Sequence, residues 1–162
     1  MYSEDKITAP RVYKMFNISK EKFRDLMDRG YITPTIKAPS KGKPAFFTRK
    51  EVCYIALLLH LTDNLRFPRE VAHKLVSRLR EYSLKAETVK DIKTTAKVEK
   101  PLSNEVWFFI YGDSITIYEV YFSRDILPEL SKVKASHPGA DLLIIDMKRL
   151  RDFVDAGFEN VA

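Results

Sequence analysis

The sequence predicts an α+β protein in which short capped helices surround a β-ribbon, followed by a small α+β module built on a β-hairpin. Three observations carry that expectation. Between Ile7 and Tyr82, apolar residues recur at the i, i+3, i+4 spacing of one helix face, and each early run is preceded by Thr or Ser. Between Val106 and Phe122, two aromatic and β-branched runs flank Gly112-Asp113-Ser114, a hairpin signal. The charge also divides: residues 1–100 hold 22 Lys and Arg against 12 Asp and Glu, whereas residues 101–162 hold 6 against 10.

Thr8 is placed to cap a first helix with Val12, Met15 and Phe16 facing inward, and Ile7 and Val12 form a hydrophobic staple across the cap. That helix ends near Asn17. Ser19 caps a second helix carrying Phe23, Leu26 and Met27, stapled by Ile18 and Phe23 and stopped at Gly30. Thr35–Lys37 and Pro44–Phe47 read as a two-stranded ribbon around the loop of Pro39, Ser40, Lys41, Gly42 and Lys43, which would make a wing. Thr48-Arg49-Lys50-Glu51 is a capping box, and the apolar run from Val52 to Leu61 is the expected core helix. Asn64–Phe67 is a connection, and Pro68 opens a fourth helix with Val71, Leu75 and Leu79 on one stripe.

The strong helical pattern stops near Tyr82, which sets a first domain at residues 1–83. Residues 84–103 are rich in Lys and Thr. They suit a linker or, because Leu75, Leu79, Tyr82, Ala86 and Val89 keep a four-then-three spacing, a dimerising helix. Residues 104–162 form the second module, with strands Val106–Tyr111, Ile115–Phe122 and Leu142–Ile145. A short helix around Leu127–Lys134 is interrupted at Pro128. Asp146 caps a last helix in which Leu150, Phe153 and Val154 face inward and Gly157 is the stop.

No run of some 18 uncharged apolar residues exists, and the first residues carry no signal-like apolar stretch. The chain is therefore expected to be cytoplasmic, without membrane association. A single cysteine, Cys53, excludes an internal disulfide and a cysteine-based metal cluster. His60, His73 and His137 lack the spacing of a helical zinc site, and no phosphate loop or nucleophile elbow is present. The expectation is no catalytic residue, no metal and no cofactor. A basic half of net +10 beside an acidic half of net −4 is the pattern of a polyanion-binding module joined to a non-binding one.

Across residues 6–80 the order of signals resembles the MerR family. Two helices end in Gly30-Tyr31-Ile32-Thr33-Pro34, a wing follows, Phe47-Thr48-Arg49-Lys50-Glu51-Val52 opens an apolar helix, and Leu65-Arg66-Phe67 precedes a fourth. The resemblance implies a winged helix-turn-helix regulator of transcription acting as a homodimer on double-stranded DNA, in a bacterial or phage cytoplasm and associated with the nucleoid. Its second helix would lie in the major groove, with the wing on the backbone. Arg24 matches the arginine of the family's second helix, but the tyrosine pair that follows is replaced by Asp25 and Leu26, and Pro68 stands in place of the usual Ser or Thr cap. The C-terminal third resembles no effector domain.

The candidate DNA-binding residues follow from residue type and position. Arg24 can read guanine bidentately, and Lys20 and Lys22 can meet phosphates near the start of the second helix. Lys37, Lys41 and Lys43 on the wing can straddle the backbone, Arg49 and Lys50 can extend that surface, and Tyr31 can donate to a phosphate or pack the wing. On the outer face of the second helix, Glu21, Asp25 and Asp28 oppose phosphate, with Arg24–Asp28 and Asp25–Arg29 as helix pairs. That acidity supports an alternative in which the fold serves as a protein-binding adaptor, and an excisionase-like architectural DNA binder is a third reading. The aromatic hairpin, apolar on both faces, offers a surface for a second subunit or a protein partner.

Overall fold

The computed structural model describes residues 6–88, 105–111, 114–120, 131, 135 and 145–160. Among these residues it is an α+β protein of helices and two two-stranded antiparallel sheets. The chain divides into two compact units, one of Met1–His73 with Leu150–Ala162 and one of Lys74–Arg149. This division departs from the sequence boundary at residue 83, because the last helix groups with the N-terminal segment.

In the first unit, β1 (Lys6–Thr8) leads directly into α1 (Ala9–Met15), and α2 spans Lys20–Asp28. Thr8 occupies the cap position of α1 without a side-chain hydrogen bond. The two first-turn donors are otherwise settled, since Ala9 N–H reaches the Ala45 carbonyl at 3.0 Å and Pro10 has none to offer. Asn17 takes a left-handed backbone at φ 50°, which lets Ile18 N–H close on the Tyr13 carbonyl at 3.0 Å and turns the chain within three residues. Ser19 Oγ then accepts from Lys22 N–H at 3.1 Å, and Gly30 at φ 77° ends α2 with Tyr31 N–H on the Leu26 carbonyl at 2.9 Å. The two short helices read from the caps are present, joined by a tight turn.

The ribbon is shorter than its sequence pattern. Instead of strands at Thr35–Lys37 and Pro44–Phe47, the structure has the single bridge Ile36–Phe46, and β2 (Phe46–Thr48) pairs along its length with β1. Prolines explain the truncation. The neighbouring hydrogen-bonded pairs would be Ala38 with Pro44 and Pro34 with Thr48, and neither proline carries an N–H for the ladder. Thr48 N–H goes instead to Thr35 Oγ1 at 3.1 Å. The capping box is accordingly one-sided: Thr48 Oγ1 accepts from Glu51 N–H at 3.4 Å, opening α3 (Arg49–Leu59).

Every residue of α3 from Glu51 to Leu59 is buried, which makes it the axis of the core. Around it lie Ile7, Val12, Phe23, Leu26, Ile32 and Phe47, with Phe23 set edge-on to Phe47 at 5.7 Å and tilted on Tyr13 at 6.0 Å. Cys53 is buried among them, and desolvation pushes its thiol up to about 12, so it is inert as a nucleophile. Beyond Leu59 the helix does not stop. It widens into a π-helical turn, His60–Asn64, where Thr62 Oγ1 bonds back to the Leu58 carbonyl at 3.0 Å and competes with the backbone ladder.

Arg66 follows at φ 60°, a left-handed backbone on a non-glycine residue. That conformation costs an L-residue ~1–2 kcal/mol, and glycine would relieve it at an entropic cost of ~0.5–1 kcal/mol in the unfolded chain. Arg66→Gly is expected to stabilise the protein by ~0.5 kcal/mol, read as a raised urea midpoint at unchanged slope; a lowered midpoint would show that the arginine side chain outweighs the strain.

α4 begins at Arg69 and runs to Thr88, six residues past the end expected near Tyr82. Leu84, Lys85, Ala86 and Glu87 are all strong helix formers, which carries the helix past the end of the strong apolar stripe. The candidate linker or dimerising segment is thus helical through Thr88, and residues 89–104 lie outside the described ones.

In the second unit, β3 (Glu105–Tyr111) and β4 (Ser114–Val120) form an antiparallel hairpin in the register Trp107–Tyr118, Phe108–Ile117 and Tyr111–Ser114. Ser114 is therefore a strand residue, and the connection is the two residues Gly112 and Asp113. The expected strand at Leu142–Ile145 falls mostly outside the described residues, and Ile145 itself is buried but in no strand. Of the expected helix at Leu127–Lys134, only Ser131 is described, and it is helical. Asp146 Oδ1 accepts from Lys148 N–H at 3.0 Å and Arg149 N–H at 3.3 Å, capping α5 (Met147–Glu159).

From Leu150 onward α5 belongs to the first unit. Leu150, Val154 and Phe158 are buried, whereas Phe153, expected inward, is 49% exposed and rests on Phe16 at 5.7 Å. Gly157 is not the stop. It sits inside the helix where α1 comes close, and a Cβ there would stand 2.6 Å from Met15 Cε.

Candidate nucleic-acid interface

α2 is amphipathic, and its apolar side is fixed by Phe23 and Leu26 in the core. The opposite side therefore presents Lys20, Glu21, Arg24 and Asp28 to solvent; the 100° stepping turns Glu21, Asp25 and Asp28 fully outward with Lys22 and Arg24 on the flanks, and of these Asp25 is instead half-buried. Arg24 is open to solvent. Its side chain is 78% exposed and lies 3.9 Å from Asp28, a separation at which the pair restrains neither partner.

Lys22 is not a free cation at the helix start. Its Nζ donates to both oxygens of Asp63, at 2.9 and 2.7 Å, tying α2 to the π-helical turn after α3. The widened turn is what carries Asp63 within reach. Lys20 remains exposed beside it.

Asp25 has a role the sequence did not disclose. One carboxylate oxygen accepts from Arg29 Nε at 2.7 Å, and the other accepts from Arg69 Nη1 at 2.8 Å, from the first turn of α4. The Arg29 hydrogen bond, then that of Arg69, hold the Asp25 carboxyl below its ordinary value, and Arg29 is raised in turn. The Asp25–Arg29 pair is legible as an i, i+4 spacing. Arg69, 44 positions from Asp25, is not.

The linkage sign follows from that depression. A carboxylate with a lowered folded pKa contributes stability that is fully present above its unfolded value of 3.8 and is lost as pH falls through the folded value. Asp25→Asn is expected to remove this part of the acid sensitivity, so the stability difference between native protein and variant should shrink on acidification below about pH 4. Urea midpoints at successive pH values test it; a constant difference down to pH 2.5 or so would reject the bridging role.

Tyr31, just after α2, is half-buried. Its hydroxyl donates to Glu70 Oε1 at 3.1 Å and its ring meets His73 edge-on at 5.4 Å, so it braces the start of α4 against the end of α2. Desolvation first, then the Glu70 hydrogen bond, raise its phenol, while Glu70 is lowered by its own backbone N–H and then by Tyr31. Tyr31, Glu70, Arg69 and Asp25 thus form one polar seam that sets the angle of α2 on α4.

The loop cations Lys37, Lys41 and Lys43 are exposed, on a segment turned by Lys43 N–H to the Ser40 carbonyl at 3.1 Å and by Gly42 at φ 90°. Arg49 is tied into the fold and keeps a 39% exposed side chain. Its guanidinium donates to Asp155 Oδ1 at 2.8 Å and lies over the Phe158 ring at 4.8 Å, so it fastens α5 to the start of α3. Lys50 beside it is half-buried. Among the described residues no group of three or more His, Cys, Asp or Glu could hold a metal ion, and no helix is long and apolar enough to cross a membrane.

No family model matches the chain, and no curated protein matches it.

Proposed function

We propose that the protein is a sequence-specific double-stranded DNA-binding regulator of the winged helix-turn-helix kind, MerR-like in its first 80 residues and acting as a homodimer. The observation that carries this reading is Asp25 held between Arg29 and Arg69. The sequence sets three carboxylates on the outer face of α2, and phosphates repel such a face. Compensated by two guanidiniums, Asp25 becomes an anchor for cations beside the face that would enter the groove. The exposed Arg24 and Lys20 then lie on a face whose central acid is neutralised, and the exposed lysines of the 37–43 loop supply backbone contacts. The extension of α4 to Thr88 favours the dimerising-helix role of that segment, which the apolar spacing of Leu75, Leu79, Tyr82 and Ala86 supports.

Arg24 contributes base readout, Lys20 and the loop lysines phosphate contacts, and Lys22, Arg49 and Tyr31 hold the geometry that presents them. The test is fluorescence anisotropy of the full chain on the duplex upstream of its own gene and on a shuffled duplex, at several salt concentrations. Affinity for the cognate duplex is expected to fall roughly 10³-fold or more between about 50 and 200 mM salt. Arg24→Ala is expected to cost ~1–3 kcal/mol there while leaving the shuffled duplex little changed. Equal, weak binding of both duplexes rejects sequence-specific regulation; if neither duplex binds at low salt, the adaptor reading takes its place.

A further inference from the structure

We propose that the groove between α1 and the second half of α5 is a docking site for an acidic amphipathic segment of a partner protein. The groove holds about 480 Å³ and is open to solvent, lined by Arg11, Lys14 and Met15 from α1 and by Phe153, Ala156 and Gly157 from α5. Its floor is apolar and its charged lining is of one sign, since Arg11 and Lys14 are the ionisable residues lining it and both are exposed. Phe153 stands 49% exposed on a helix whose neighbouring Leu150 and Val154 are buried, so a large aromatic face is offered at the rim.

The floor is shaped by a close approach. Gly157 has no side chain, and Met15 occupies the space a Cβ would take, which brings α1 against α5 and leaves a flexible thioether under the groove. Such a floor accommodates one or two large apolar side chains without a fixed shape. The openness selects a chain segment lying along the surface over an enclosed small molecule, which a pocket would bury on most sides. Lys14 selects a carboxylate on that segment's outer positions, and Arg11 adds to the positive field of the same rim.

The probe is a fluorescein-labelled helical peptide of about four turns, with Leu and Phe on one face and Glu on the other, and a counterpart with Lys for every Glu. The full chain is expected to bind the Glu peptide in the tens of micromolar, roughly −6 kcal/mol, and the Lys peptide at least tenfold more weakly. Phe153→Ala is expected to weaken the Glu peptide about tenfold and Lys14→Glu about fivefold. Both side chains are exposed, and unchanged circular dichroism confirms that the variants fold. Equal binding of the two peptides, no binding at about 1 mM, or variants that bind as the native chain does would overturn the proposal. Displacement of the peptide by duplex DNA, with the same loss of DNA affinity in Lys14→Glu, would also overturn it by assigning the cations to phosphate.

Discussion

Phe47→Ala is expected to unfold the N-terminal unit at temperatures where the native chain is intact. Phe47 is fully buried, belongs to β2, which pairs with β1, and meets Phe23 of α2 edge-on at 5.7 Å. Truncating a buried phenylalanine costs ~3–5 kcal/mol, from lost transfer energy and from a cavity that a backbone in a β-pair cannot collapse to fill. A domain stable by ~5–15 kcal/mol loses a large part of its margin, and a midpoint shift of ~10–30 °C follows for a unit of this size. Thermal unfolding followed at helical wavelengths, with amide exchange of α2, checks it. A shift under a few degrees would mean that Phe47 is not a keystone between strand and helix.

Val154→Asp carries the second large effect, and it separates two architectures. Val154 is fully buried on α5, between Phe153 on Phe16 and Asp155 on Arg49. An aspartate there must bury an unpaired carboxylate or drive α5 off its seat, at ~3–5 kcal/mol. Because residues from Leu150 onward belong to the N-terminal unit, amides of α1 and α3 are expected to lose protection along with those of α5. If α5 were instead part of a separate C-terminal module, as its place in the sequence suggests, α1 and α3 would exchange as in the native chain. A truncation ending at residue 83 is expected to suffer the same loss, since it removes α5 altogether.

These two residues also mark how far local pattern reaches. Ser19, Thr48, Gly30 and Asp146 announce their caps and stops because capping is a contact within three or four residues, and the hairpin at Gly112-Asp113 is announced for the same reason. Helical spacing placed Val12, Phe23, Leu26, Leu150 and Val154 in the core correctly. It misplaced Phe153, because a stripe only says which side is apolar and α1 covers part of that side. Gly157 read as a stop for a similar reason. A glycine near a helix end serves either the backbone or a neighbouring helix, and only the neighbour, Met15, distinguishes them. The ribbon was overextended because alternation was visible while the effect of Pro34 and Pro44 on particular ladder pairs depends on register.

The sequence by itself determined the α+β class, the order and caps of the first helices, the apolar axis of α3, the charge asymmetry and the outward placement of Glu21 and Asp28 on α2. All of these rest on contacts or periodicities within one element. Tertiary structure decided which charges remain available: Lys22 is taken by Asp63, Arg49 by Asp155 and Phe158, and Asp25 is shared between Arg29 and Arg69. It also decided that α5 seats beside α1, creating a groove neither helix contains. Apart from the i, i+4 pair Asp25–Arg29, these ion pairs join residues 41 to 106 positions apart, and no spacing rule spans that distance because chain separation sets no bound on which surfaces meet.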